Sequence, residues 1–311
     1  MSPSSSTSDG PAGSTLPRDG GPRLPRVARL VHPFPSLLDG LVVAAAAVVA
    51  GSTPGPAIVA AGSMVLLQFS IGAVNDLHDA PRDAGKPGKP IASGELTARV
   101  AAGVAVLAAA VGVLLAAAVG VPVGLALIVL GIGYAYDLVL KGTVLSWLPF
   151  AVGIPILPVY GWLTGVGGLP PAFVVILPVA FLAGAVLSIA NADADAERDA
   201  AAGLDSLAIR LGPVVAPLVV LGGQCLVGAI AVASLLVGEG LGVGALTTPG
   251  GLFAVAAAAL VPIAGAASVA RGTRRADAAA RERAWRIEAT GDALLAAAWL
   301  ATAAAAGWFG G

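Results

Sequence analysis

Two stretches of this chain place oxygen-rich side chains at one repeated spacing. "VNDLHDAPRDAGKPGKPIASG", Val74 to Gly94, holds Asn75, Asp79 and Asp83 at intervals of four. "NADADAERDAAAGLDS", Asn191 to Ser206, repeats the pattern with Asn191, Asp195 and Asp199. Residues four apart on an α-helix differ by about 40° around the axis and about 6 Å along it, so each triplet is expected to line one helical face. Asp76 flanks the first triplet; Asp193, Glu197 and Asp205 flank the second. Carboxylates at this spacing repel one another, and a hard divalent cation offsets the repulsion. Magnesium is the expected ion, with manganese as the alternative: it takes oxygen ligands, keeps several waters and bridges carboxylates to substrate phosphates. The chain has one cysteine and two histidines, too few for a zinc or iron centre. Cations stand beside the acids. Arg82, Lys86 and Lys89 accompany the first triplet, Arg198 lies within the second with Arg210 after it, and Lys141 stands between the two. Such charges neutralise a phosphate leaving group as its bond breaks. Together the clusters predict metal–polyphosphate chemistry, with two or more ions around one diphosphate.

The elements that must position these residues are apolar. The 311-residue chain is 57% hydrophobic and 11% charged, where soluble domains average about 25% charged residues. An all-α polytopic membrane protein is expected. Nine stretches have about the length that crosses a bilayer: 35–53, 56–75, 98–119, 121–140, 146–163, 171–191, 213–237, 250–270 and 288–308. Both triplets then fall at span ends, after the second and the sixth, on one membrane face. With the N-terminus on that face, all 17 Lys and Arg residues lie there or at its edge, and Glu239 is the sole charged residue of the opposite loops. The positive-inside rule places the charged face in the cytoplasm of a multi-pass cell-membrane protein, with the C-terminus on the other side. Residues 1–28, rich in Ser, Pro and Gly, read as a disordered cytoplasmic tail, and residues 29–311 as one membrane domain. Cys225, inside an apolar run, reads as a buried small hydrophobe.

"NDLHDAPRDAGKPGKPIASGELT" resembles the first aspartate-rich motif of the UbiA superfamily of intramembrane prenyltransferases, N-D-x-x-D-x-x-x-D followed by a basic-Pro-x-x-S-G tail. "DADAERDAAAGLDSLAIRLG" resembles the second motif, and "YAYDLVLKG", Tyr134 to Gly142, the segment that ends the family's fourth helix. The resemblance implies nine helices around a central apolar cavity, with both motifs at its cytoplasmic mouth. It implies Mg²⁺ ligation through Asn75, Asp79 and Asp83 and through Asp195 and Asp199, with Asn191 beside them. It places Lys86, Lys89 and Lys141 near the diphosphate, and Arg82 and Arg198 are assigned there with them. The implied activity is that of an enzyme that ionises a prenyl diphosphate and transfers the prenyl group to an aromatic or hydroxyl acceptor. Three positions depart from the family pattern: Lys89-Pro90 replaces the commoner Arg-Pro, Asn191 stands where many relatives carry aspartate, and Asp205 where they often have a basic or small residue.

Other residues carry weaker signals. Tyr134 and Tyr136 are candidates for lining the site, where an aromatic face stabilises a carbocation. Asp137 is expected to pair with Lys141, four residues on. Asp39 and Asp292 lie early in the first and ninth spans, and intramembrane carboxylates are costly and often functional, although a charge at a helix N-terminus also accounts for them. His32 and His78 read as structural or solvated. "RGTRRADAAARERAWRIE", Arg271 to Glu288, reads as an amphipathic connector on anionic headgroups. Two other functions are compatible with paired acidic motifs. A membrane terpene cyclase shares the ionisation step. A cation-coupled transporter is disfavoured, because its charges belong near the bilayer midplane. The expected partners are a prenyl diphosphate, a small-molecule or lipid acceptor and the bilayer; no nucleic acid is expected. Acceptor identity, chain length and oligomeric state are not legible in the sequence.

Overall fold

The computed structural model describes residues 26–84, 88–165, 168–237, 243–273 and 278–309. Lys86, Glu239 and most of the N-terminal tail lie outside the described residues. Those described form helices and connecting turns, with no strand among them. In chain order the helices are α1 (Arg26–Leu30), α2 (Pro33–Val49), α3 (Pro54–Asp79), α4 (Ala98–Ala118), α5 (Val123–Ala135), α6 (Leu148–Trp162), α7 (Phe173–Ala194), α8 (Ala196–Ala201), α9 (Leu207–Val237), α10 (Val243–Leu246), α11 (Pro249–Thr273) and α12 (Ala278–Ala305). Proline in the first turn opens α2, α3 and α6, where its missing N–H costs nothing. The Thr97 hydroxyl caps α4 by accepting from the Val100 N–H. Gly120, at φ 82, makes the tight turn between α4 and α5.

Among the described residues six helices are long and apolar enough to cross a membrane: α3, α4, α5 with the turn that extends it to Leu140, α7, α9 and α11; α2 and α6 are apolar but shorter. α12 falls outside that set because its first turns carry Arg281, Glu282, Arg283, Arg286 and Glu288. The chain is a multi-pass membrane protein. Its outer face is apolar, with Val106, Leu107, Leu114 and Val214 each about two-thirds exposed or more, a surface that lipid covers and water would not tolerate. Cys225 is exposed on α9, not buried as expected. In a membrane span the outward face is as apolar as the core, so hydrophobicity alone does not tell the two apart.

Small residues let the helices approach closely. A Cβ on Gly161 of α6 would meet the Val43 carbonyl oxygen of α2 at 2.2 Å, and one on Gly184 of α7 would meet the Phe150 oxygen of α6 at 2.3 Å. Buried hydroxyls tie α3 to its neighbours. Ser63 donates to the Gly112 carbonyl at 2.6 Å and Ser70 to that of Ala105 at 2.7 Å. The two ends of the bundle differ. One gathers the charged residues. At the other, Trp162 stacks near Phe173 and Phe309, and Trp299 near Trp308, as aromatic residues do at a membrane–water boundary.

Neither triplet stays on one helix. α3 ends at Asp79, whose carbonyl accepts from both Arg82 and Asp83 N–H groups at 2.8 and 2.9 Å; Pro81 has no N–H to continue the helix. Asp83 therefore sits in a turn. α7 ends at Ala194, Asp195 adopts φ −108 and ψ 6, and α8 resumes at Ala196. The four-residue spacing is thus interrupted: Asn75 and Asp79 stay on α3 and Asn191 on α7, Asp83 and Asp195 stand in turns, and Asp199 lies on α8. Gly212, at φ 77 and ψ 171, is non-helical and divides α9 into a short segment from Leu207 and a longer helix from Pro213, where the span is expected to begin.

Candidate functional site at the charged mouth

A cavity of about 980 Å³ runs inward from the charged end of the bundle. Both motifs reach it: Asn75 from the first, and Asn191, Asp195 and Asp199 from the second, with Arg198. Tyr136, Asp137 and Lys141 join them from the end of α5. This last contribution depends on a π-helical turn, Tyr136–Leu140, in which the Lys141 N–H donates to the Tyr136 carbonyl at 2.7 Å. The extra residue in such a turn shifts the register of the helix end, and turns of this kind recur at functional sites. No periodicity in the sequence marks it.

Asp79 and Asp83 stand behind the cavity wall, both buried. The Lys141 ammonium donates to Asp79 Oδ2, and Arg82 lies 3.2 Å from Oδ1. Lys89 contacts Asp76 at 2.5 Å and Asp83 at 3.3 Å. His32, in a left-handed conformation at the start of α2, hydrogen-bonds the same Asp76 oxygen at 2.9 Å. His78 is exposed. The expected Asp137–Lys141 pair does not form. The π turn sends Lys141 across to Asp79, and Asp137 instead accepts from the Asn75 amide at 2.7 Å. Tyr134 and Tyr136 part company. The Tyr134 hydroxyl bonds Ser70 at 2.7 Å between α5 and α3, away from the cavity lining. Tyr136 lines the cavity, with its ring 5.4 Å from that of Phe150.

The second motif is more open. Arg198 bonds Asp195 at 2.7 Å. Asp205 and Arg210 form a two-pronged pair at 2.6 to 3.1 Å, each more than half exposed and outside the cavity lining. The Arg210 guanidinium holds the Asp205 carboxyl below the usual carboxylate range. The departure at Asp205 is thus a surface ion pair. The segment expected to lie on headgroups contributes otherwise. The first turns of α12 border the cavity through Glu282, Trp285 and Arg286. Arg281 is buried against Asp193 at 3.8 Å and also bonds Glu197. Arg286 lies 4.9 Å above the Phe34 ring, and Trp285 packs on the same ring at 5.6 Å. The single tryptophan among the arginines of "RERAWRIE" is the signal in the sequence for a packed face on this helix beside its polar one.

The donors suit a hard cation. Among the described residues no three His, Cys, Asp or Glu side chains converge as a ready-made metal cage. Magnesium does not need one, because it shares one or two carboxylates with substrate phosphates and keeps its waters. Among the described residues, two buried carboxylate oxygens at the mouth, Asp76 Oδ2 and Asp137 Oδ2, are left without a hydrogen-bond donor, and such oxygens are costly until a cation or donor meets them. Oxygen ligands, unsatisfied carboxylates and adjacent ammonium and guanidinium groups fit a metal–phosphate complex.

Fold and site together define a membrane-embedded helical protein with an apolar chamber and a charged, oxygen-rich mouth. The sequence matches the UbiA prenyltransferase family over residues 38–290, and the chain belongs to that family. Comparison with curated protein sequences yields no match. Solved structures share the fold. A UbiA homolog from Aeropyrum pernix K1, in apo form, aligns with TM-score 0.65 at 20% identity, covering 83% of this chain and 96% of its own. A UbiA homolog from Archaeoglobus fulgidus bound to DMAPP and Mg²⁺ aligns with TM-score 0.63 at 18% identity, covering 87% and 99%. A digeranylgeranylglyceryl phosphate synthase aligns with TM-score 0.62 at 13% identity, covering 90% and 98%.

Proposed function

We propose that this protein is an intramembrane prenyltransferase that ionises a polyprenyl diphosphate with Mg²⁺ and transfers the prenyl group to an aromatic or hydroxyl acceptor. The observation that carries the reading is the meeting of both acidic motifs at the mouth of one large cavity. Two of the Archaeoglobus fulgidus homolog structures, bound to Mg²⁺ with DMAPP or GPP, support it. In this reading Asn75 faces Asn191, Asp195 and Asp199 across the cavity, and Asp79 and Asp83, directly behind it, complete the ligand groups. Bound there, Mg²⁺ would neutralise the diphosphate as its carbon–oxygen bond breaks.

The chain's own groups do the rest. Lys141, Lys89, Arg82 and Arg198 supply positive charge around the leaving group, and Lys86 belongs to the same loop. The prenyl tail lies in the apolar chamber below, shielded from water. Tyr136 and Phe150 offer ring faces near the ionising carbon. In this reading the charged mouth faces the cytoplasm at the cell membrane, and nine crossings would leave the C-terminus on the other side.

The test is binding of farnesyl thiodiphosphate, a slowly ionising donor analogue, to the protein in lipid nanodiscs. Binding is expected with Mg²⁺, with loss of at least about tenfold in affinity in Asp79→Ala and in Asp195→Ala, since each removes a ligand charge. Equal affinity in both variants would overturn the two-motif reading. A cyclic hydrocarbon formed from geranylgeranyl diphosphate alone would replace transfer by cyclisation.

A further inference from the structure

Below the mouth the cavity has two unlike walls. Val129 and Ile132 of α5 and Ile154 and Leu157 of α6 make one side apolar. The other carries Asp39 of α2 and Asp292 of α12, which the diphosphate site does not use. These two helices run in the same direction. Phe34 meets Trp285 near their starts, and Ala46 shares a core cluster with Leu295, Trp299 and Leu300 further down. Asp39 is five residues past Phe34 and Asp292 seven past Trp285, about 7.5 and about 10.5 Å along their axes at 1.5 Å per residue. The two carboxylates therefore stand at one level to within a helical turn. Gln68 of α3 faces the cavity near the same depth: its helix runs antiparallel to α2, with Asp76 beside His32 and Val65 beside Gly40.

The two acids are held differently. Asp292 accepts from the Gln224 amide at 3.0 Å, and Gln224 is itself buried in α9, so a neutral donor orients this carboxyl group and brings no counter-charge. Among the described residues Asp39 has neither a hydrogen-bond partner nor an ion-pair partner; it is half-buried, and it lines the cavity. The cations that line the cavity, Arg29, Lys141, Arg198 and Arg286, all belong to the mouth. A carboxylate in a low-dielectric chamber is costly unless a donor reaches it. A prenyl tail has no such donor and suits the opposite wall.

We propose that the Asp39–Asp292 wall is the acceptor side of the cavity. It takes an uncharged acceptor head through hydroxyl donors and rejects an acceptor that carries a carboxylate or phosphate at that depth, by like-charge repulsion. The proposal rests on the prenyltransferase reading and sets the acceptor class for it. The experiment is calorimetric titration of the full chain in nanodiscs at about pH 8.5 under argon, alkaline enough to keep both carboxylates ionised, with Mg²⁺ and farnesyl thiodiphosphate, using two phenols of similar size, methylhydroquinone and 4-hydroxybenzoate. The neutral phenol is expected to bind at least about tenfold more tightly than the carboxylate, since like charges brought together across a binding surface cost more than that. In Asp39→Asn/Asp292→Asn, which preserves shape, the two affinities should converge to within about threefold, as expected once the repelling charges are gone. Equal binding of the two phenols by the unaltered protein would overturn the proposal. So would binding of neither at millimolar concentration, or a preference that survives the double substitution. Binding of the donor analogue is measured first in the same samples. Its absence overturns the prenyltransferase reading, and the preference between phenols is then read on the donor-free protein.

Discussion

Lys141→Ala separates a structural charge from a working one. The Lys141 ammonium sits on Asp79 Oδ2, and its side chain is 27% exposed against 9% for the aspartate. Breaking a fully buried pair costs about 3–5 kcal/mol. Here Arg82 remains 3.2 Å from the other Asp79 oxygen, and the lysine is partly solvated, which reduces the expected loss to about 1–2 kcal/mol. That loss lowers the melting temperature by a few degrees and leaves the protein folded at 25 °C. The effect on turnover should be larger. A donor aimed at developing negative charge is worth about 2.7–4 kcal/mol, or about 10²–10³ in kcat. The assay is diphosphate release from farnesyl diphosphate under saturating Mg²⁺ in nanodiscs, alongside thermal unfolding. Lys141→Arg should recover much of the rate, because it restores the charge at the same depth. If Lys141→Ala kept more than about a tenth of the wild-type rate while losing stability, the lysine would be only a partner for Asp79, and its assignment to the leaving group would be refuted.

Two further outcomes test the scaffold that holds the mouth. Gly161→Ala would put a methyl group 2.2 Å from the Val43 carbonyl oxygen and 2.8 Å from the Ala46 Cβ; backbone must move, and a loss of about 1–3 kcal/mol is expected in thermal unfolding. Wild-type stability in this variant would mean that α2 and α6 are not in the close contact described. Trp299, with Leu300, lines the cavity at the end away from the mouth, and the Trp299 indole N–H donates to Ser234 at 2.9 Å. Trp299→Ala should deepen the chamber and shift preference toward longer prenyl donors, at a stability cost of about 3–5 kcal/mol. An unchanged ranking of donors from ten to twenty carbons would show that the tail does not reach this floor.

The membrane class, the helical elements and the residue types of the site were legible because composition and spacing are local properties. Apolar runs report helices, and even spacing marks Asn75, Asp79 and Asp83 as candidates. What was not legible depends on how chain ends pack. Pro81 and the break at Asp195 interrupt two expected helical faces at the mouth, leaving Asp83 in a turn and Asp199 on the separate short helix α8. The π turn at Tyr136–Leu140 sends Lys141 to Asp79 and leaves Asp137 to Asn75, a choice that an i, i+4 argument cannot make. Tyr134 and Tyr136 are two residues apart and equivalent on paper, yet one is spent on Ser70 between helices and the other faces the chamber. Asp39 and Asp292 were visible as costly charges in apolar helices. Their common depth, and the buried Gln224 that orients one of them, needed the parallel packing of α2 against α12 and its neighbour α9.

The most direct test of the account is metal-dependent turnover. Purified protein in nanodiscs, given a prenyl diphosphate, Mg²⁺ and a lipid extract as the source of acceptor, should release diphosphate and form a prenylated product. Both should stop in excess EDTA and resume when Mg²⁺ is restored, because paired carboxylates at the mouth cannot hold a diphosphate without the cation. Full turnover in excess EDTA, or in Asp195→Ala with Mg²⁺ present, would contradict it.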